Sequence, residues 1–258
     1  DGVYTTDPRI VSRARKIDRI TYEEMLEMAS QGAKVLQTRA VELAMNQRVR
    51  LQVLSTFEDL PGTLVVDEEE IVEQQVVSGI AYSRDEAKLT LVGVEDQPGI
   101  AAAIFGPLSD ASVNVDMIVQ NVSADGTHTD MTFTVGKADY QRAIAILEKI
   151  RPAINFGALN VDPDVVKVSV IGVGMRSHAG VAKTMFQALS EKGINIQVIS
   201  TSEIKISVLI AEEYTDIEGR PQITFYGEKT FHGMTVGDYY LDDNDKKIYI
   251  SRAWIMSE

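Results

Sequence analysis

Lys88-Leu-Thr-Leu-Val-Gly-Val94 followed by Asp96-Gln-Pro-Gly-Ile-Ala-Ala-Ala-Ile-Phe105 decides the fold, because the same pattern returns further along the chain. The second copy reads Lys167-Val-Ser-Val-Ile-Gly-Val173 and then Ser177-His-Ala-Gly-Val-Ala-Lys-Thr-Met-Phe186. The likeness continues from Val113-Asn-Val-Asp-Met-Ile-Val-Gln-Asn121 to Ile194-Asn-Ile-Gln-Val-Ile-Ser-Thr-Ser202. Two copies are too few for a solenoid, so they predict a pair of small domains.

The first copy alternates strand and helix signals in a fixed order. Strands are indicated by β-branched alternation, and helices by apolar residues that recur with helical spacing. The expected elements are a strand at 88–94, a helix from Ile100 that Pro107 should kink or restart, strands at 113–119 and 130–135, a helix at 139–150 and a strand at 153–161. This order is βαββαβ, which predicts an α+β, ferredoxin-like domain with helices on one face of an antiparallel sheet. The second copy has no helical pattern after its third strand, at 205–211.

The residues before the repeats predict a smaller mixed segment. Thr21 and Glu24 form a capping-box pattern at the start of a helix that ends near Gly32. The other expected elements are a loop at 1–20, a helix at 33–46, strands at 49–55, 64–66 and 76–82, and a solvated acidic run at 67–70. The last residues, from Asp216, are rich in turns and aromatics and predict a three-strand meander.

Composition excludes several classes of protein. The net charge of −13 argues against a nucleic-acid or anionic membrane surface, because both are polyanions. The absence of cysteine rules out a disulfide scaffold, and the three histidines are isolated, so no metal site is expected. No apolar run approaches the length of a membrane span, and the chain begins without a signal-peptide pattern. We therefore expect a cytoplasmic protein, and the opening Asp1-Gly-Val-Tyr indicates a fragment of a longer one.

Several long runs resemble the C-terminal half of the aspartate kinase (aspartokinase) family. They are Asp1-Gly-Val-Tyr-Thr-Thr-Asp-Pro-Arg9, Gly32-Ala-Lys-Val-Leu36, Val115-Asp-Met-Ile-Val-Gln-Asn-Val-Ser123, Gly174-Met-Arg-Ser-His-Ala-Gly180 and Ile199-Ser-Thr-Ser-Glu-Ile-Lys-Ile-Ser-Val-Leu209. The resemblance implies that the repeats are ACT domains, which are regulatory modules that bind free amino acids. It covers roughly residues 1–214 and leaves the tail unmatched.

The resemblance also implies a domain plan. Residues 1–66 are expected to be the C-terminal remnant of an amino-acid kinase lobe, and 67–75 an acidic linker. Residues 87–163 form the first ACT domain, and 76–82 with 166–214 form a discontinuous second one, followed by the β-rich tail at 215–258. Tyr4, Asp7 and Arg9 match family positions near ATP. The phosphate-binding Lys-Phe-Gly-Gly-Thr-Ser run of the family is missing, so no catalytic residue and no cofactor is expected in this chain, although ATP and Mg²⁺ would serve the complete enzyme.

An effector site is predicted where the first repeat's strand meets its helix. Backbone N–H groups of Gly99, Ile100 and Ala101 at a helix N-terminus can hold a carboxylate, and Asp96 can pair with an ammonium group. An α-amino acid carries both charges on one carbon. Further polar candidates lie across from that turn: Asn114, Asp116, Gln120 and Asn121. The resemblance adds Ser123 and Thr132 to this pocket.

The second copy offers a weaker counterpart of this site. Its candidates are Ser177, Ala179, Val181 and Asn195, and it lacks an acid equivalent to Asp96. An ordinary strand-to-helix turn without a ligand explains the second copy equally well, and this alternative stays open. The resemblance further implies that the effector is lysine, threonine or both, and that a homodimer forms through the first ACT domain.

Three functions remain after these observations. The first is the regulatory part of aspartate kinase, which acts on a kinase lobe in cis or on another chain and controls ATP-dependent phosphorylation of aspartate to 4-phospho-aspartate. The second is a catalytically active aspartate kinase seen in part. The third is a stand-alone amino-acid-binding protein.

Overall fold

A computed structural model describes residues 2–8, 14–71, 76–124, 126–178 and 180–214. The described residues form two compact units: one is Arg84–Val166, and the other combines residues before Arg84 with residues after Val166. The strand meander expected in the tail at 215–258 lies outside the described residues.

The elements follow one another along the chain with short connections. In order they are β1 (Val3–Tyr4), β2 (Lys16–Ile17), β3 (Arg19–Thr21), α1 (Tyr22–Ser30), α2 (Thr38–Gln47), β4 (Leu51–Val53), β5 (Thr63–Val66), β6 (Gly79–Glu95), α3 (Ile100–Asp110), β7 (Val115–Val122), β8 (His128–Val135), α4 (Tyr140–Ile154), β9 (Ala158–Ile171), α5 (Val181–Glu191), β10 (Ile196–Thr201) and β11 (Lys205–Ala211). Short 3₁₀ turns lie at Glu68–Glu70, Val173–Arg176 and Glu212–Tyr214.

The unit Arg84–Val166 is the predicted ferredoxin-like domain. Its strands lie in the order β9, β6, β8, β7, and the β6–β8 and β7–β8 pairs are antiparallel. The buried core joins Leu89 and Leu91 of β6 to Ile104 of α3 and Leu147 of α4, so both helices cover the same face of the sheet. Phe133 of β8 lies at the centre of this core. The expected α+β class is confirmed.

The other unit repeats part of this arrangement. Here β10 pairs with β11 in antiparallel fashion, and β9 lies on the other side of β11. The next strand in the order is β6, and just before it the N–H of Ser78 donates to the carbonyl of Ile171 across 2.8 Å. Residues that precede the first repeat thus lie beside the first strand of the second repeat.

The same unit contains a small mixed sheet with two helices. Its strand order is β3, β5, β4, with β3 parallel to β5. Met25 and Met28 of α1 are fully buried in its core. The capping box at the start of α1 is formed as predicted: the Glu24 N–H donates to the Thr21 hydroxyl, and a Glu24 carboxylate oxygen accepts from the Thr21 N–H.

Several predictions for the N-terminal residues are wrong. Residues 33–37 are turns instead of the first part of a helix, because Gly32 leaves α1 at a φ of +111° and the chain cannot resume a helix at once. In the helix that does form, α2, Leu43 is 63% exposed, whereas Ala44 is buried. Residues 1–20 contain short strands rather than loop alone.

The structure also corrects the predicted strand and helix ends within the repeats. The strands expected at 76–82 and 88–94 are one strand, β6, and those expected at 153–161 and from Lys167 join in β9, since polar residues between them stay extended. Residues 153–154 belong to α4. Helix α3 continues through Pro107, at the cost of the single bond that its missing N–H would have donated to the Ala103 carbonyl.

Among the helices of the described residues, none is both long enough and apolar enough to cross a membrane.

Candidate functional site

The turn between β6 and α3 holds the predicted acid in a defined place. The Asp96 N–H donates to the carbonyl of Thr127 across 3.0 Å, which ties the turn to the β7–β8 hairpin. The Gln120 side chain, from β7, donates from Nε2 to Oδ1 of Asp96 across 3.4 Å. Both side chains are exposed. The Asp96 carboxylate, held by the Gln120 side-chain N–H group, is therefore open to a ligand that carries an ammonium group.

The start of α3 lies next to this pair. Gly99 is the N-cap with a φ of +91°, and no side chain caps this end within the described residues. A Cβ at Gly99 would have open space, so glycine is favoured here by its backbone conformation and not by crowding. The Ile100 N–H donates to the Gln97 carbonyl across 3.2 Å, so it is not fully available to a ligand, and the Ile100 side chain is buried in the core. Ala101 is exposed.

The hairpin beyond Gln120 brings two more candidates to the same end of the sheet. Asn121 is exposed and lies opposite Asp130 in the β7–β8 register. Ser123 closes the hairpin: its hydroxyl accepts from the His128 N–H across 3.0 Å. Its own N–H donates to the His128 carbonyl across 2.8 Å. Ser123 therefore shapes the loop that holds Asp96.

Thr132 lies in the middle of the sheet, on the face away from the helices. Its neighbours Met131 and Phe133 point into the core, so Thr132 points the other way. Its hydroxyl shares a hydrogen bond of 2.9 Å with that of Thr90 on β6. Thr90 was not among the predicted site residues, although the alternation of Leu89 and Leu91 already placed it on this face.

Asn114 and Asp116 lie at the other end of the sheet from Asp96. Val115, next to Asn114, pairs with Val135 at the C-terminal end of β8, and so does Ala87 of β6. Glu95, next to Asp96, pairs with His128 at the N-terminal end of β8. Asp116 is also turned to its own backbone, since its Oδ1 accepts from the Met117 N–H across 2.8 Å. Within one chain, the fold therefore brings together Asp96, Gly99, Gln120, Asn121 and Ser123. It does not bring Asn114 and Asp116 to them.

The second repeat has the same geometry without the acid. Gly180 is the N-cap of α5 with a φ of +112°, and Val181 begins the helix. The Ser177 hydroxyl donates to the Gly174 carbonyl across 3.2 Å. Asn195 is exposed just before β10, whose register places it at the end of the sheet remote from this turn. Ala179 lies outside the described residues.

The positions that match the nucleotide side of the family are only partly described. Tyr4 is half-buried on β1, and Asp7 is buried. Arg9 lies outside the described residues.

Comparison with known families assigns three parts of the chain. A profile of the ACT domain matches residues 88–152, and a second ACT domain profile matches 168–217. The amino acid kinase family matches residues 1–55.

Individual relatives carry the assignment further. The regulatory subunit of aspartate kinase from Thermus thermophilus, in its ligand-free form, is 42% identical with a TM-score of 0.51, and the match covers 54% of this chain and 91% of that one. This chain belongs to the aspartokinase family. The aspartokinase of Pseudomonas aeruginosa is 59% identical over 85% of this chain and 54% of that protein. Escherichia coli aspartokinase III, solved in complex with lysine and aspartate in a T-state, is 28% identical with a TM-score of 0.64, covering 83% of this chain and 47% of that one.

The aspartokinase relatives are longer than the chain described here. It spans about half the length of the curated relatives that it matches. Two ACT domains and a short kinase segment are therefore the family's features that these residues contain.

Proposed function

We propose that this chain is the regulatory portion of an aspartate kinase, which binds lysine, threonine or both for feedback control of the phosphorylation of aspartate to 4-phospho-aspartate. The observation that carries the proposal is the Asp96–Gln120 pair beside the uncapped start of α3, within an ACT domain. The lysine complex of the E. coli relative supports the choice of ligand class.

The proposed site fits the head group of an α-amino acid. Its ammonium group is bound by the Asp96 carboxylate, which the Gln120 side-chain N–H group orients, and charge-assisted bonds of this kind are the stronger class. Its carboxylate lies at the start of α3, where the N–H groups of Gly99 and Ala101 and the helix dipole favour an anion. Asn121 and Ser123 border this site, and Thr132 lines the sheet behind it.

A homodimer through the first ACT domain would complete the site. Strand β7 is an edge strand, and Ile118, Val119 and Val122 on it are exposed apolar residues. An exposed, apolar edge strand of this kind is a template for pairing with a strand of another chain. If two copies of β7 pair antiparallel about a two-fold axis near Ile118, residues at the start of one strand meet those at the end of the other. Asp116 of the first copy would then approach Gln120 of the second, which unites candidates that one chain keeps apart.

The remaining parts of the proposal follow the family. We assign 87–163 to the first ACT domain, 76–82 with 166–214 to the second, 67–75 to a linker, and 1–66 to the end of a kinase lobe in cis or on another chain. In the complete enzyme, which would use ATP and Mg²⁺, Tyr4, Asp7 and Arg9 would lie near ATP. We place the protein in the cytoplasm.

Calorimetric titration of the 258-residue chain tests this function. Lysine and threonine are the ligands, and an amide that lacks the α-carboxylate, lysinamide, is the matched control. Saturable heat with one of the two amino acids, and none with lysinamide, is the expected result. The proposal fails if neither amino acid binds at millimolar concentration.

One observation favours a second function, a catalytically active kinase seen in part: residues 1–55 match the amino acid kinase family. Turnover of ATP and aspartate by this chain alone would establish it over the regulatory function.

A further inference from the structure

Glu24 is a carboxylate buried on α1 with partners beyond its own helix. It is 3% exposed. One oxygen, Oε2, accepts from the N–H and the hydroxyl of Thr21, both at 3.2 Å. The other, Oε1, accepts from the Ser78 hydroxyl at 2.5 Å and from the Val173 N–H at 2.9 Å. The helix cap explains the first pair of bonds, and the second pair leads into the second repeat.

Val173 lies in the segment that follows β9 on the way to α5, which we call the β9–α5 segment (172–178), and it is the first residue of the 3₁₀ turn there. This segment precedes Gly180, where the second candidate site lies. A second carboxylate before the repeats also holds it, since Arg176 forms an ion pair with Glu68 at 2.9 Å. Gly172 packs so closely that an added Cβ would lie 2.3 Å from the Val76 carbonyl oxygen. Both ends of the 3₁₀ turn are therefore fixed to residues that precede the repeats.

Helix α1 makes further polar contacts with the strands of the second repeat. Gln31 accepts a bond of 3.1 Å from the Ser169 hydroxyl on β9. Glu27 forms an ion pair of 3.0 Å with Lys205 on β11. With Glu24, these residues follow one another at helical spacing along a single face of α1. This face contacts the second repeat through polar groups.

Polar contacts of this kind couple the positions of two segments more tightly than apolar contacts do. A hydrogen bond weakens steeply with distance and angle, whereas apolar side chains can slide past one another. If the β9–α5 segment moved away from α1, the Glu24 carboxylate would stay buried with a lost partner, and such a group is costly. The Glu24–Val173 bond therefore opposes separation of the β9–α5 segment from α1.

We propose that Glu24 is a positioning residue that couples the β9–α5 segment of the second ACT domain to helix α1 of the kinase portion. A ligand that displaces this segment acts on α1 through the Glu24–Val173 bond. The inference rests on the proposed regulatory function for its biological meaning, while the coupling itself can be measured without any ligand.

Amide hydrogen exchange in the 258-residue chain measures the coupling from both sides. Val173→Pro removes the N–H that donates to Glu24. Proline is tolerated at this position because it is the first of the 3₁₀ turn. The residue before a proline must be extended, and Gly172 already is. Val173→Ala keeps the donor and loses side-chain packing. Glu24→Gln alters the acceptor, and Glu42→Gln makes the same change at an exposed site on α2.

The expected result is faster amide exchange in the segment that does not carry the substitution. Val173→Pro should speed exchange of the Thr21 and Glu24 amides about tenfold, and Val173→Ala should not. Glu24→Gln should speed the Met175 and Ser177 amides by a similar factor, and Glu42→Gln should not. Changes confined to the substituted segment overturn the inference. So does a uniform rise that includes Phe133 of β8, because a merely structural residue would produce it.

Addition of lysine or threonine separates this inference from the proposed function. A ligand that alters exchange at Thr21 and Glu24 in the unsubstituted chain, but not in Val173→Pro, supports the coupling. The same ligand effect in both chains overturns it. If neither amino acid binds, the regulatory function fails, and the substitutions alone still decide whether Glu24 couples the two segments.

Discussion

Gln120 on β7 donates from Nε2 to Oδ1 of Asp96 across 3.4 Å, so the acid that begins the α3 turn is oriented by the edge strand of its own sheet. This contact joins the turn to the strand on which the proposed dimer interface lies. The affinity of Asp96 for a bound amino acid would therefore depend on the position of β7.

Asp96→Ala should weaken binding of lysine or threonine about tenfold or more, because a hydrogen bond to a charged group contributes about 1.5–3 kcal/mol. The fold should remain, since Asp96 is exposed. Calorimetric titration measures the affinity. Asp110→Ala, also an exposed aspartate but at the far end of α3, is the matched control. Equal affinity in Asp96→Ala and Asp110→Ala would remove this turn from the site.

The edge strand β7 should control assembly. Val119→Lys places a charge on an exposed apolar position of β7 and should shift a dimer toward monomer at micromolar concentration, because a buried unpaired charge opposes strand pairing. Sedimentation with and without lysine and threonine measures this shift. Effector binding at the interface should strengthen the dimer by mass action.

The control for assembly is Ile199→Lys, which makes the same change at an exposed apolar position of the other edge strand, β10. It should leave the dimer intact. Dissociation by Ile199→Lys alone would place the interface on the second repeat, and a monomer in every condition would contradict the dimer itself.

The repeated pattern was enough to predict the ferredoxin-like fold, because the spacing of apolar residues in each strand and helix places them on the side that faces the core. Alternation at Leu89 and Leu91 and helical spacing at Ile100 and Ile104 both point into one core. Strand ends were harder to predict. The polar residues from Arg84 to Glu86 indicate a break, yet β6 passes through them, since pairing with neighbouring strands is a tertiary effect.

The sequence predicts the positions of site residues that are close together in the chain. It predicts less well the positions of residues that depend on how β7 pairs with β8. Asp96 and Gly99 lie three residues apart in one turn, so their proximity was assured. The place of Asn114 depends on how β7 pairs with β8, including the irregularity between Asp116 and Val119. Glu24 was recognised as a capping residue, but its bond to Val173 joins residues far apart in the chain.

Tyr22 should make the stability of the fold depend on pH at alkaline values. Burial raises the pKa of its hydroxyl above 10.0, and the charges of Glu70 and Asp67 raise it further, while Arg50 opposes them. The neutral form is favoured in the folded state, so this contribution is complete below pH 10 and is lost as the pH rises through the folded-state pKa. Tyr22→Phe has no group to titrate.

Urea unfolding from pH 8 to pH 11 measures the Tyr22 effect as the difference in free energy of unfolding between the unsubstituted chain and Tyr22→Phe. Lysines and other tyrosines titrate in both chains and cancel. The difference should move in favour of Tyr22→Phe above pH 10. A difference that stays constant with pH would mean that the Tyr22 hydroxyl ionises as freely in the fold as in the unfolded chain.

Two glycine-to-alanine substitutions should change stability in opposite directions. At Gly172 an added Cβ would lie 2.3 Å from the Val76 carbonyl oxygen and 2.8 Å from the Val77 Cα, both backbone atoms that cannot turn aside. The backbone there is extended, so the penalty is steric, and overpacking of this kind costs about 1–3 kcal/mol or more. At Gly106, inside α3, the Cβ meets no atom within 4 Å. Alanine is favoured over glycine in a helix by roughly 0.8–1 kcal/mol, so Gly106→Ala should stabilise. Urea unfolding followed by circular dichroism compares the two. Unchanged stability in Gly172→Ala would contradict the close approach of Gly172 to residues 76–78, and a loss of stability in Gly106→Ala would contradict the open space at Gly106.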